Sequence, residues 1–209
     1  MISKTMKEEL DKDSVFIYIP DFLSKKESLN LYTELNNITD IKKNYNFDNN
    51  KIIRLQKWYH TENKYFCPKW KYKYDRWTSN EYDPSVLNIQ KYVQSEIQKM
   101  NLEKYNITIP NINSCLLNKY RDGNDYIRPH HDTELTFGKY PTIIGLSIGH
   151  SRDIIFKNKI NKDIFKFTLE SGSLFIMAGS SQKYYTHEIP KSNIKYLKNR
   201  FSLTFRETF

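Results

Sequence analysis

Cysteine, histidine, glycine and proline are all scarce in this 209-residue chain, which has 2, 5, 6 and 7 of them. Cys67 and Cys115 are too few and too far apart for a disulfide framework or a thiolate zinc cage, and they read as ordinary intracellular thiols. No apolar run approaches the ~18 residues of a membrane helix. The first residues, MISKTMKEEL, lack an apolar stretch and a small-residue cleavage site, so no secretion signal is expected. The expected setting is intracellular, cytoplasmic or nuclear, with no membrane partner. What is present is 38% hydrophobic and 15% aromatic residues, which excludes a disordered chain. Lys and Arg total 33 against 24 Asp and Glu, a formal charge of +9 that points to an acidic or polyanionic partner. The joint richness in Lys, Asn, Ile and Tyr is also what coding bias would leave, so the charge alone does not choose.

No internal repeat or low-complexity linker divides the chain. One domain is expected over residues 13–209, acting as a monomer, with residues 1–12 as a loose tail. In the front half, Val15 to Ile19 reads as a short strand closed by Pro20. Ser24 and Glu27 form a capping box for a helix whose inward side would carry Leu29, Tyr32 and Leu35. After Pro84, the apolar positions Val86, Ile89, Val93, Ile97 and Met100 step by three and four, which predicts a second helix. From residue 112 the period changes to two. Short strands are expected at Ser114–Tyr120, Thr142–Ile148, Asp153–Phe156, Ile164–Leu169, Leu174–Met177 and Phe201–Phe205, separated by Gly-containing turns. Many short strands with two covering helices predict an α+β, mainly β, sandwich or barrel.

Two of the five histidines cluster with an aspartate: His130, His131 and Asp132 are consecutive. In an extended segment, residues i and i+2 share a side, so His130 and Asp132 can hold one metal while His131 faces away. His187 is the candidate third ligand, because His60 and His150 have no basic strand downstream. Two His and one carboxylate on one face suit iron(II) with open positions, as in non-haem oxygenases. The basic strand is Arg200 to Arg206, in which Phe201, Leu203 and Phe205 alternate with Arg200, Ser202, Thr204 and Arg206. Six residues at ~3.3 Å, less two inward-leaning side chains, leave roughly 7 Å between the guanidinium groups. That gap suits a short dicarboxylate held at both ends, and a keto acid could also chelate the iron.

These residues resemble the AlkB family of iron(II)- and 2-oxoglutarate-dependent dioxygenases, which remove alkyl groups from nucleic-acid bases. The resemblance lies in ordered motifs: Asn118-Lys-Tyr120, Asp122-Gly123, His130-His-Asp132-Thr-Glu134, Gly149-His-Ser-Arg152-Asp153, Gly172-Ser-Leu174, His187-Glu-Ile-Pro190 and Arg200 to Arg206. It covers residues 112–209 well and 15–105 loosely. It implies a double-stranded β-helix (jelly-roll) core with a substrate lid at about residues 50–84. It further implies that His130, Asp132 and His187 bind iron, that Arg200 pairs with the distal carboxylate of 2-oxoglutarate and Arg206 with its keto-acid end, and that Asn118 and Tyr120 complete the pocket. Glu134 falls where the family often contacts the substrate base. The implied activity is oxidative demethylation of N-alkylated bases in DNA or RNA.

Two departures stand out. Ser202 replaces the Asn usual two residues after the first strand Arg, and the Pro-Arg-rich lid signature is absent between Gln56 and Pro84. In its place Lys69, Lys71 and Lys73 alternate with Trp70, Tyr72 and Tyr74, a ribbon suited to a single strand or extruded base, or equally to a half-buried sheet edge. The lysines of residues 57–73 are expected around the mouth of the site. Leu55 could serve as an apolar wedge, although a core leucine is the better reading. The missing lid keeps open a hydroxylase of protein or small molecules, and a non-catalytic nucleic-acid-binding module remains a third reading.

Overall fold

The computed structural model describes residues 5–6, 14–45, 51–62, 64, 78–105, 107–194 and 198–208. Among the described residues, twelve strands and four helices form a two-sheet sandwich with the two longer helices on one outer face. The strands are β1 (Thr5–Met6), β2 (Ser14–Ile19), β3 (Lys42–Tyr45), β4 (Lys51–His60), β5 (Ser114–Tyr120), β6 (Ile127–His130), β7 (Ile143–Gly149), β8 (Arg152–Asn158), β9 (Ile164–Leu169), β10 (Leu174–Gly179), β11 (Tyr185–Ile189) and β12 (Arg200–Arg206). The helices are α1 (Lys25–Asn36), α2 (Pro84–Lys99) and the one-turn α3 (Glu134–Phe137) and α4 (Ser181–Tyr184). The larger sheet runs β1-β2-β10-β7-β12-β5-β4-β3 and the smaller runs β6-β11-β8-β9, with every named strand pair antiparallel. Thr5–Met6, inside the stretch read as a tail, pairs with β2.

Alternation in β12 decides the layering. Phe201, Leu203 and Phe205 are fully buried and belong to the core shared with α1 and α2, together with Val86, Val93 and Ile97. Arg200, Ser202, Thr204 and Arg206 therefore point the other way, between the sheets, where an aromatic cluster of Phe16, Phe156, Phe175 and Tyr185 fills part of the space. The rest of that space is a cavity.

The Ser24–Glu27 capping box is present: Glu27 N–H donates to Ser24 Oγ at 3.2 Å and Ser24 N–H to Glu27 Oε2 at 2.8 Å. The inward side of α1 differs from expectation, because Leu29 is 65% exposed while Ser28, Leu31 and Leu35 are buried. The cause is a close approach. A Cβ on Gly172, whose φ is +84°, would stand 2.4 Å from Ser28 Oγ and 2.8 Å from the Leu23 carbonyl, so the contacting turn of α1 takes a small residue there.

Helix α2 begins at Asp83, whose carboxylate makes no cap hydrogen bond. It accepts instead from Lys57 Nζ at 2.7 Å and Tyr59 Oη at 2.6 Å, and Lys57 also pairs with Asp40 at 2.7 Å. Lys57 thus faces the helices and is buried, which corrects its expected place at the mouth of the site. The strand's parity is the reason: Arg54 and Gln56 line the cavity, so Lys57 must point away. Leu55 packs against the helix-side core, a core leucine and not a wedge.

Candidate active site

A cavity of about 410 Å³ lies between the sheets. Its floor is a grid of inward side chains fixed by register. Arg200 stands opposite Tyr120, Ser202 opposite Asn118, Asn118 opposite Gln56, and Ser202 opposite Ser147 on the other side. The facing wall comes from β6, β8 and β11.

On that wall, His130 of β6 is directly opposite His187 of β11, with ring centroids 4.2 Å apart. Asp132 lies just past the end of β6, and one potential ligand atom from each of His130, Asp132 and His187 lies within 4.8 Å of the others. Hydrogen bonds orient His130 and Asp132. His130 Nδ1 is 2.9 Å from the Arg128 carbonyl, which can only accept, so Nδ1 carries the proton and Nε2 is free to ligate. Arg206 Nε donates to Asp132 Oδ2 at 2.6 Å, and the Asp132 N–H donates to Gln182 Oε1 at 2.9 Å. Asp132 Oδ1 is thereby left for a metal.

Electrostatics keeps the three groups in ligating form. Burial lowers the pKa of both imidazoles, His187 well below its ordinary value with His130 and Arg206 adding to the effect. Burial works against the Asp132 charge, but Arg206, His187 and His130 outweigh it and hold the carboxyl below its usual range. Two neutral imidazoles and one carboxylate on one side of a cavity fit iron(II) with coordination positions to spare.

Arg200 supplies the test for a dicarboxylate. It is fully buried, its Nη2 donates to Ser147 Oγ at 2.9 Å, and its Nε and Nη1 have no partner. Idle donors on a buried guanidinium are costly unless a ligand answers them, and a carboxylate does so with two parallel bonds. With Arg206 beside the metal ligands and Arg200 further along the same strand face, the residues fit 2-oxoglutarate as well as iron(II).

Tyr120 is buried between Arg200, 5.0 Å from its ring centroid, and Arg152 at 5.6 Å. Asn118 is buried and Ser202 half-buried, and both line the cavity. His131 is exposed at the rim, so it turns from the metal ligands while still bordering the opening. Glu134 is exposed, opens α3 and is not among the residues lining the cavity. Lys69, Trp70, Lys71, Tyr72 and Tyr74 lie outside the described residues. His60 is structural: its Nδ1 accepts from the Glu62 N–H at 2.9 Å and its Nε2 meets Thr208 Oγ1 at 2.7 Å.

Sequence reasoning gave no role to Arg54 and Gln56. Arg54 is buried, with Nε donating to Asn118 Oδ1 at 2.7 Å and Nη1 to the Tyr126 carbonyl at 3.3 Å. Gln56 Nε2 donates to the same Oδ1 at 2.9 Å. Their shared parity was a usable signal only once the inward face of β4 was known.

The family model described as "2OG-Fe(II) oxygenase superfamily" matches residues 15–206. The DNA oxidative demethylase ALKBH2 of Arabidopsis thaliana is 32% identical over 117 residues, covering 45% of this chain and 37% of its own length. The alpha-ketoglutarate-dependent dioxygenase alkB homolog 3 of Rattus norvegicus is 35% identical over 106 residues, covering 46% and 36%. The chain therefore spans less than half the length of these curated relatives. Among solved structures, OsALKBH1 superposes with a TM-score of 0.64 at 16% identity, over 92% of this chain and 96% of that one. A prolyl hydroxylase from Trichoplax adhaerens gives 0.63 at 13% identity, over 93% and 83%. These likenesses fix the fold as the double-stranded β-helix that the family resemblance implied, a form of the sandwich expected from the strand pattern. Matched over residues 15–206 by the family model, with a candidate His130–Asp132–His187 metal triad in its cavity and AlkB-named proteins among the relatives it resembles over about half its length, the chain belongs to the 2OG-Fe(II) oxygenase superfamily.

Proposed function

We propose that this chain oxidatively dealkylates N-alkylated bases in DNA or RNA. The observation that carries the reading is the meeting, in one cavity, of the His130–Asp132–His187 triad with a buried Arg200 whose Nε and Nη1 are idle. The resemblance of the ordered motifs, and relatives whose names describe DNA demethylation and alpha-ketoglutarate dependence, support the choice of substrate.

Iron(II) and 2-oxoglutarate, when bound, supply an oxygen-derived oxidant that hydroxylates an N-alkyl carbon. The chain's own residues prepare for that. His130 and His187 stay neutral and Asp132 ionised, so the ligands need not shed protons as the metal enters. Arg206 takes one Asp132 oxygen and so directs the other. Arg200 anchors the cosubstrate's far carboxylate, and Phe137, Ile154 and Phe175 close the cavity with apolar surface that limits water. An alkylated base must leave its stack to reach this depth, which costs least from a single strand. In this reading Lys69 and Lys71 take phosphates, Trp70, Tyr72 and Tyr74 stack on bases, and Glu134 contacts the substrate base.

The test is a panel of methylated DNA and RNA oligonucleotides incubated with iron, ascorbate and 2-oxoglutarate, read by mass spectrometry. Loss of the methyl group with matching formaldehyde and succinate is expected, and His187→Ala abolishes it. Succinate formation with no demethylation of any oligonucleotide would sink the nucleic-acid reading in favour of a protein or small-molecule hydroxylase. Binding without 2-oxoglutarate consumption would leave a non-catalytic module. Lys69→Glu with Lys71→Glu is expected to weaken oligonucleotide binding and spare 2-oxoglutarate binding.

A further inference from the structure

Asn118 Oδ1 accepts two hydrogen bonds from the same strand, Arg54 Nε at 2.7 Å and Gln56 Nε2 at 2.9 Å. All three side chains are buried and line the cavity. A side-chain amide has one acceptor end and one donor end, and a half-turn about its last bond exchanges them. With two donors converging on the oxygen, the exchanged orientation would set an NH2 group against a guanidinium and a second NH2. The amide is therefore fixed with Oδ1 toward β4 and Nδ2 turned from it, toward the floor shared with Ser202.

We propose that Arg54 and Gln56 are positioning residues for the cosubstrate: they lock the Asn118 amide so that its Nδ2 is presented as a donor to a carboxylate of 2-oxoglutarate. This rests on reading the cavity as a 2-oxoglutarate site, not on the nature of the oxidised substrate. It gives a buried arginine without a carboxylate partner among its hydrogen bonds a definite task. It also offsets the short reach of Ser202, because a rigidly aimed donor on the neighbouring strand loses less on binding than a free one. Arg54 additionally holds the Tyr126 carbonyl, one residue before the strand that carries His130, so the same side chain joins the cosubstrate floor to the metal wall.

The experiment is calorimetric titration of 2-oxoglutarate into the protein loaded with Mn(II), which binds without turnover, for the native chain, Arg54→Met, Gln56→Leu, Asn118→Ala and each of the first two combined with Asn118→Ala. Mn(II) affinity is measured on every variant. Each β4 substitution is expected to weaken 2-oxoglutarate binding about three- to tenfold, the range of one or two net hydrogen bonds. Asn118→Ala is expected to weaken it at least as much. In the Asn118→Ala background the β4 substitutions should cost no more than about twofold further, because their effect passes through the amide. A merely structural role gives losses that persist undiminished in that background, and this outcome overturns the proposal. So does native-like 2-oxoglutarate affinity in both single variants. If Arg54→Met loses Mn(II), Gln56→Leu, which changes no charge, decides alone. A native protein that binds Mn(II) and no 2-oxoglutarate would overturn the reading of the cavity itself, a different failure from native binding with indifferent variants.

Discussion

Arg200 and Arg54 are both buried guanidiniums on the same cavity floor, yet only one of them was legible in the sequence. Strict alternation of Phe201, Leu203 and Phe205 with polar residues leaves β12 a single possible inward arrangement, so Arg200 and Arg206 had to share the cavity face. Strand β4 carries polar side chains on both faces, Arg54 and Gln56 on one and Lys57 on the other, and parity alone does not say which meets the cavity. The triad was legible because histidine is scarce and the i, i+2 spacing is mechanical, whereas the Arg206–Asp132 bond joins residues 74 apart and needs the folded sheet. Arg200→Met removes the charge and both idle donors while keeping much of the volume. It is expected to weaken 2-oxoglutarate binding by about 100-fold or more, the scale of a buried charge-assisted pair, with Mn(II) affinity little changed. Equilibrium titration checks both. Asp132→Ala should instead abolish metal binding and leave the Arg206 guanidinium without its anion, costing about 3–5 kcal/mol of stability by the usual penalty for a broken buried pair, read by denaturant unfolding.

At the scale of elements, β5, β7, β8, β9, β10 and β12 followed from period-two patterning, because most of those strands have one face in an apolar core and the other in a cavity or solvent, whereas β6 and β11, the strands of His130 and His187, are too short and too polar to show it. The inward side of α1 did not, since its register is set by the close approach of Gly172, a residue more than a hundred positions away. Gly172→Ala should therefore destabilise by more than the ordinary helix-packing change, about 2 kcal/mol or more, because it adds a Cβ inside contact distance and strains a positive φ. Thermal denaturation would show it. Lys57 is the hinge pin between β4, α2 and the Asp40 loop. Burial opposes its charge, but Asp40 and Asp83 hold its pKa above the ordinary 10.5, while Lys57 holds Asp40 below its ordinary 3.8. The Lys57 contribution is present below pH 10.5 and lost as pH rises past it. The Asp40 contribution is present above pH 3.8 and lost as pH falls. Lys57→Met should thus lower stability across the window between these limits by about 1–3 kcal/mol for the lost charge-assisted bonds, read as a lower melting temperature, and the gap from native should shrink at either end.

Taken whole, the molecule hides a good part of its positive charge. Among the described residues five cations are buried, Arg54, Lys57, Arg152, Arg200 and Arg206, and two acids, Asp125 and Asp132, so the formal +9 overstates what a polyanion meets. The two kinds of charge should respond differently to salt. Raising salt from about 50 to 200 mM is expected to weaken single-stranded oligonucleotide binding by about tenfold or more, through lost counterion release. Affinity for 2-oxoglutarate, held by buried arginines, should change by about twofold or less over that range. Fluorescence anisotropy and calorimetry would measure the pair. In the smaller sheet β6 is an edge strand, paired among the described residues to β11 alone, and His130 sits directly opposite His187. A metal taken by both is a rivet across the sheet's weakest seam. Occupancy at a thousand times the dissociation constant adds about 4 kcal/mol to the folded state, so iron supply sets durability as well as catalysis. A chain starved of metal would present β6 first to proteases, and its lifetime would follow the metal content of its surroundings.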